Sequence, residues 1–245
     1  MYVLIEYNKN YNQNIKQLEK NNLISILLFK IILTDKNQTK QNLEKIFELK
    51  KKINPKFSAI QIRIDKITNQ TQSIINNLKQ DFDLIIGLGG LNKINRFFLE
   101  QTKIDFLQDP QNSSFKIKFD FIHHFNSGLN HILSKMAQNK QIGFIFSLNF
   151  TQTSNKLIIA KEIGRIDQNI KFARKYKIPI YLNFIIQNQN QIKTQQQIQE
   201  ISKIFTISTQ QINQITTILE QKIKKNKEKK SKNYISENIK IIEGN

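Results

Sequence analysis

HHFNSGLNHILSKMAQNKQIGFIF, residues 123–146, holds every histidine of the chain: His123, His124 and His131. Imidazoles gathered this closely suit two chemistries, coordination of a divalent metal and proton transfer near neutral pH. Both need the rings to converge on one point. A strand through His123 and His124 sends neighbouring side chains to opposite faces. In the helix that follows, Leu129, Ile132, Leu133 and Met136 form one apolar stripe, and His131 falls nearly opposite it, beside Lys135 and Gln138. The spacing predicts rings that diverge. No HxH, HExxH or DxDxDG pattern supplies a metal set elsewhere, Ser127 and Ser147 have no evident triad partner, and the absence of cysteine excludes thiolate zinc, disulfides and cysteine nucleophiles.

Two further stretches could meet phosphate. GLGG, Gly87 to Gly90, follows a strand and opens a helix, where free amides can hold an anion. It lacks both the GxGxxG spacing and the GxxxxGK[ST] lysine, so it reads first as a tight strand-to-helix turn. The second is a helix from Asn155 to Tyr176. Ile159, Ile163, Ile166, Ile170 and Ala173 form its core face, while Lys161, Arg165, Gln168 and Lys175 line the other side with Lys171 alongside. Arg174 lies nearer the core face and reads as a packing arginine that snorkels. Together with Lys135 these residues make a basic surface suited to phosphates, whose contacts position a ligand without reading its sequence.

The charge balance fits such a surface. Lys and Arg number 38 against 19 Asp and Glu, a formal charge of +19 with a pI of 9.9, which points to a polyanionic partner. Heavy use of Asn, Gln, Lys and Ile also fits an AT-rich codon diet, which raises lysine without functional demand. MYVLIEYNKN reads as a first strand and not a secretory signal. The longest apolar run, LISILLFKIIL, is broken by Lys30 and is well short of the roughly 20 residues a membrane span needs. The expected setting is the cytosol, with no membrane partner.

The elements that must position these residues alternate along the chain. Strands are expected at Tyr2 to Tyr7, Ile24 to Leu33, Phe57 to Ile64, Phe82 to Leu88, Lys103 to Leu107, Phe115 to Ile122, Ile142 to Leu148 and Ile178 to Ile186, with amphipathic helices filling most gaps. Doubly buried strands separated by helices indicate parallel βαβ units, and about eight of them match a TIM-barrel-like (β/α)8 barrel better than an open doubly wound sheet. Capping boxes pair Thr194 with Gln197 and Ser208 with Gln211. The expected organisation is one α/β barrel with C-terminal helices over residues 1–223, then a basic flexible tail, 224–245, that solubilises the chain or touches RNA.

Several stretches, in order, resemble the ribonuclease P protein component 3 family. GGLNKINRFFLEQTKIDFLQDP, Gly89 to Pro110, is similar to that family's segment with an Asn-Arg pair, here Asn95 and Arg96, before an Asp-containing strand and a proline. GLNHILSKMAQNKQIGFIFSL, Gly128 to Leu148, resembles its helix leading into a strand. NIKFARKYKIPIYLN, Asn169 to Asn183, resembles its helix-strand unit with an Arg-Lys-Tyr turn, and the capped helices after Thr194 and Ser208 follow. Three places depart from the family: NFIIQNQNQ stands where a Ser-Gly-Ala-like turn is usual, QNSSFKIKFDFI is longer than the corresponding linker, and Asn149 replaces an arginine.

The resemblance implies a barrel related to the polymerase-and-histidinol-phosphatase hydrolases but without their metal site, and YVLIEYN indeed carries no His-x-His. It implies that an RNA subunit, with Mg2+ bound to RNA and no cofactor on the protein, removes the 5′ leader of precursor tRNA. The polypeptide itself is then non-catalytic and pairs with component 2. The setting is cytoplasmic on an archaeal reading and nuclear or nucleolar on a eukaryotic one. Arg96 joins Lys135, Lys161, Arg165, Lys171, Arg174 and Lys175 as candidate contacts to RNA or to the partner surface. Two other readings compete: a metal-dependent phosphoesterase on the same barrel using His123, His124 or His131, and a generic basic RNA-binding barrel.

Overall fold

Seven short β-branched and aromatic runs become parallel strands: β1 Tyr2–Glu6, β2 Ile24–Leu33, β3 Ser58–Ile64, β4 Leu84–Leu88, β5 Phe106–Gln108, β6 Gly143–Ser147 and β7 Ile180–Asn183. They hydrogen-bond in chain order, β1 through β7. The structure is a computed structural model and describes residues 2–7, 11–21, 23–34, 36–112, 119–148, 155–183, 193–230, 234–236 and 239–240. Between the strands run α1 Tyr11–Lys20, α2 Lys36–Ile53, α3 Asn69–Asn77, α4 Asn92–Gln101, α5 His131–Asn139 and α6 Lys156–Lys175. After β7 come α7 Gln195–Ile204 and α8 Thr209–Lys229, each opened by the expected capping box.

Strands such as β3 and β6 are buried on both faces, as parallel strands covered by helices must be. One apolar cluster lies between strands and helices and includes Ile60, Phe82, Phe98, Phe144, Ile166 and Ile170. The other lies inside the sheet, where Leu4, Ile26, Leu28, Ala59, Leu84, Ile86, Phe106, Ile145 and Tyr181 meet across it. An interior cluster drawing on every strand means that the sheet curls into a nearly closed barrel. The Tyr181 hydroxyl of β7 hydrogen-bonds the main chain of Leu4 in β1, fastening the two edge strands, and burial pushes its pKa up.

The barrel class holds, with two corrections. The segment expected as a strand at Phe115 to Ile122 is no strand over Phe119–Ile122, and 113–118 lie outside the described residues. Its alternating pattern is that of a half-buried strand, but β5 and β6 pair directly, with Phe106 opposite Gly143, so no edge is left for it between them. Seven parallel strands result among the described residues. The expected tail boundary at 224 falls inside α8, which continues to Lys229 with Asn226 buried. Beyond it Tyr234–Ser236 (β8) pairs antiparallel with Ile239–Lys240 (β9).

The helix α8 floors the barrel at the N-terminal ends of the strands. Leu219 and Ile223, each 3% exposed, enter the interior cluster, a burial worth about 2 kcal/mol per side chain. Asn226 Nδ2 donates to the carbonyl of Asp83 (2.8 Å) and to Asp105 Oδ1 (3.1 Å). Those two aspartates precede β4 and β5 and cap neighbouring amides. Asp83 Oδ2 accepts from the Ser58 amide at 2.9 Å, and Asp105 Oδ2 from that of Ile85 at 2.9 Å.

Candidate nucleic-acid interface

In a parallel barrel the C-terminal strand ends form the mouth where chemistry is usually carried out, so that end decides between an enzyme and a binding module. The side chains that point inward there are Glu6, Lys30, Gln61, Gln108, Ser147 and Asn183. Gln61 Nε2 donates to Gln108 Oε1 (2.7 Å), and Gln108 Nε2 donates to Ser147 Oγ (2.8 Å). Asp109 Oδ1 accepts from the Ser147 amide at 2.7 Å. Lys30 and Glu6 close the other side as an ion pair at 2.6 Å. What remains between them is a cavity of about 10 Å³, enough for about one water. Asn183 Oδ1, buried without a protein partner, lines that space and fits such a water. Burial raises the pKa of Asp109, and burial together with the Asp109 charge raises that of Glu162. The mouth is a polar plug.

Two loops at this end, the one after β4 and both ends of the one after β5, are tied by one side chain. Asn95 in α4 is fully buried; its Oδ1 accepts from the Gly90 amide (2.9 Å), and its Nδ2 donates to the carbonyls of Pro110 (3.0 Å) and Gly128 (2.8 Å). A Cβ on Gly128, whose φ is +80°, would sit 1.9 Å from the Pro110 oxygen. The amides of the glycine turn are therefore engaged: Gly90 by Asn95, and Gly89 by the Gln108 carbonyl at 2.7 Å. The turn reading of GLGG holds, and those two amides have no room for a phosphate.

The three histidines are held by different neighbours. His123 and His124 lie in an irregular segment and not a strand, so their divergence was inferred from the wrong element. His124 stacks on Phe121 with centroids 4.5 Å apart. His131 opens α5, packs edge-on against Phe172 of α6 at 5.0 Å, and its Nδ1 lies 3.1 Å from the Tyr176 hydroxyl. Among the described residues no three His, Asp or Glu side chains gather to hold a metal. The apolar stripe of α5 is also shifted: Leu133, Ser134 and Ala137 face inward, while Ile132 is 66% exposed.

The basic side of α6 divides in two. Lys161, Lys171 and Lys175 face solvent, as do Lys135 on α5 and Arg96 on α4. Lys171 pairs with Asp167 (2.8 Å) and Arg96 with Glu100 (2.7 Å) within their own helices. Arg165, in contrast, is buried and grips Asp120 through Nε (2.9 Å) and Nη2 (3.0 Å). Burial alone would push the Asp120 carboxyl up, but the Arg165 bond and the Asn126 amide hold it below the usual carboxylate range. Gln168 bonds the main chain of Phe125 and the Ser127 hydroxyl. Part of the stripe expected to meet phosphate thus carries the 119–127 segment. Arg174 donates to the Phe205 carbonyl at 2.7 Å, a packing role in keeping with its place near the core face.

A second cationic surface lies at the opposite end, beside α8. Two adjoining hollows of about 540 and 860 Å³ share Lys79, Ile104, Lys140, Ile142, Asn226 and Lys229, forming one groove. Its walls hold eight lysines, Lys79, Lys103, Lys140, Lys177, Lys222, Lys225, Lys229 and Lys230, against a single carboxylate, Asp105. Reading the sequence missed this site because residues from 224 onward were assigned to a tail. The signal was present: Lys222, Lys225 and Lys229 recur at i, i+3 and i+7 along one flank of the Leu219 and Ile223 face of α8.

The fold is a parallel barrel with bonded polar side chains in the described part of its mouth and lysines at its floor. No protein-family model matches the chain. Curated relatives do. The chain is 24% identical over 127 residues to ribonuclease P protein component 3 of Methanococcus maripaludis, covering 52% of this chain and 50% of that protein. It is 25% identical over 139 residues to the protein of that name from Methanocaldococcus jannaschii, covering 56% and 54%. With the one from Methanosarcina mazei it shares 22% identity over 189 residues, covering 77% and 73%. The chain spans about half the length of the first two of these relatives. Among solved structures it matches a chain of archaeal ribonuclease P with mature tRNA, determined by cryo-electron microscopy, with a TM-score of 0.75 and 17% identity over 100% of this chain and 99% of that one. The resemblance to component 3 read from the sequence is thus shared by named relatives, and the barrel by a solved fold.

Proposed function

We propose that this chain is a protein subunit of ribonuclease P that assists RNA-catalysed removal of the 5′ leader from precursor tRNA. The observation that carries the proposal is its similarity to several proteins named ribonuclease P protein component 3. The mouth supports it physically: where a barrel hydrolase would admit substrate, this one is filled by side chains bonded to each other. Catalysis is accordingly assigned to the RNA, with Mg2+ bound there and no cofactor on the protein. The polypeptide is non-catalytic by itself and acts in the cytoplasm on the archaeal reading. Among the described residues, no helix is long and apolar enough to cross a membrane.

The partners follow from the same reading: ribonuclease P RNA, component 2, and precursor tRNA through the assembled enzyme. Lys135, Lys161, Lys171, Lys175 and Arg96 remain candidates for contacts to RNA or to component 2, because their charges face solvent. Arg165 and Arg174 act instead by holding the surface in shape. Reconstitution tests the proposal. Adding this protein with component 2 to ribonuclease P RNA is expected to raise precursor-tRNA cleavage at limiting Mg2+. No gain over RNA with component 2 alone counts against it.

A further inference from the structure

We infer that the groove between α8 and the N-terminal ends of β5, β6 and β7 is a binding site for the sugar-phosphate backbone of duplex RNA. Its choice of RNA over other polyanions rests on the ribonuclease P reading. The groove is defined by geometry as well as charge: α8 forms one wall, and the turns entering β5, β6 and β7 form the other, with Ile104, Ile142 and Pro179 along its base. Among the described residues lysine is the only cation lining it. Ammonium groups act as point charges that accept many phosphate geometries, whereas base reading favours the planar fork of arginine or an aromatic stacking face. The predicted contact is therefore electrostatic and indifferent to sequence.

Several of these ammonium groups are already aimed by the protein. Lys222 donates to the Gln141 carbonyl at 2.6 Å, Lys79 to that of Lys103 at 3.1 Å, and Lys140 to that of Glu100. An ammonium has three N–H donors, so one bond to a carbonyl fixes its place while leaving donors for an anion. Carbonyl partners leave an ammonium's charge uncancelled; Lys79 is in addition paired with Asp105 Oδ1 at 3.3 Å, which offsets part of the groove's charge. A structural explanation covers part of the set, because lysines at helix C-termini offset the helix dipole. It does not cover Lys222 and Lys225, which lie within α8 and face the groove.

The test compares the two ends of the barrel. One variant of the full chain carries Lys177→Gln, Lys225→Gln and Lys229→Gln in the groove. The other carries Lys66→Gln, Lys93→Gln and Lys156→Gln, exposed lysines at the mouth end. Binding to a labelled RNA duplex of about 20 base pairs is followed by anisotropy between about 50 and 200 mM KCl. The groove variant is expected to lower the slope of log affinity against log salt by about 2 and to weaken binding at every salt concentration, while the mouth variant keeps the slope of the unmodified chain. Equal loss in both variants, an unchanged slope in the groove variant, or tighter binding of poly-glutamate than of the duplex overturns the inference. Circular dichroism of both variants separates loss of binding from loss of fold. If the protein stimulates precursor-tRNA cleavage but the groove variant binds duplex normally, only the groove assignment fails. If stimulation is absent yet the groove variant loses the slope, the ribonuclease P reading fails and the groove stands.

Discussion

At the C-terminal ends of the strands the barrel is stopped by short polar side chains bonded to one another, with one ion pair between Glu6 and Lys30. At the N-terminal ends it is stopped by an apolar helix face flanked by lysines. Strand polarity accounts for part of the contrast. Each barrel helix runs antiparallel to its strands, so helix C-termini collect at the floor, where a cation near the last turn gains about 0.3–1 kcal/mol. Lys50, Lys51 and Lys52 end α2 there, and Lys177 follows α6. The contrast is that bonded polar side chains occupy the end that usually holds substrate, while lysines gather at the end that usually gives stability.

Four perturbations break or sharpen this contrast, in descending order of effect. Asn95→Leu should be the most damaging, costing about 4 kcal/mol, since it removes the bonds to the Gly90 amide and to the Pro110 and Gly128 carbonyls from a buried joint. Urea unfolding measures it, and a loss under about 1 kcal/mol would mean that the mouth loops are not held as described. Leu219→Ala at the floor should cost about 3 kcal/mol by opening the interior beneath Ile26 and Leu84. Its RNA affinity should stay near that of the unmodified chain while the protein is folded; a large affinity loss would join the two properties that the floor is argued to keep apart.

The third perturbation is pH. The folded pKa of Asp120 is depressed, so its contribution is fully present above the ordinary aspartate range and is lost as pH falls through the folded value. Asp109 has the opposite sign: its pKa is raised, so its contribution is present at low pH and is lost as pH rises from the ordinary range through the raised value. Arg165→Gln should cost about 2 kcal/mol near neutrality and flatten only the acid limb. Asp109→Asn should flatten only the other limb. Unfolding midpoints between about pH 3 and 7 read both, and a single substitution flattening both limbs would contradict the assignment. The smallest effect on stability belongs to Lys177→Gln, within about 0.5 kcal/mol, as expected of an exposed groove lysine.

Local chemistry made much of the fold legible before any coordinates. The run Ile24 to Leu33 is observed with those bounds, and both capping boxes form, because each signal depends on residues within one turn or one strand. The failures have a common physical source in partners distant along the chain. Lys103 to Asp105 reads as the start of β5, yet Asp105 turns to cap Ile85, and the strand begins at Phe106. Phe119 to Ile122 alternates like a strand but meets a sheet whose β5 and β6 are already paired. Arg165 and Gln168 sit on the polar side of α6, and nothing local shows that Asp120 and Phe125 will cover them. The basic character of the candidate surface was evident from composition and helical phase; the groove was not, because it forms only when α8 meets the turns before β5, β6 and β7.

That meeting has a consequence for how the molecule is made. Leu219 and Ile223 complete an interior built from strands that begin at Tyr2, so the apolar lining of the barrel stays open at one end until some two hundred residues have left the ribosome. Contacts this far apart in sequence form slowly, and an unfloored barrel exposes its lining meanwhile. Lysines at the rim of that opening repel one another and their counterparts on neighbouring chains, a built-in guard against association during the interval when the floor is missing.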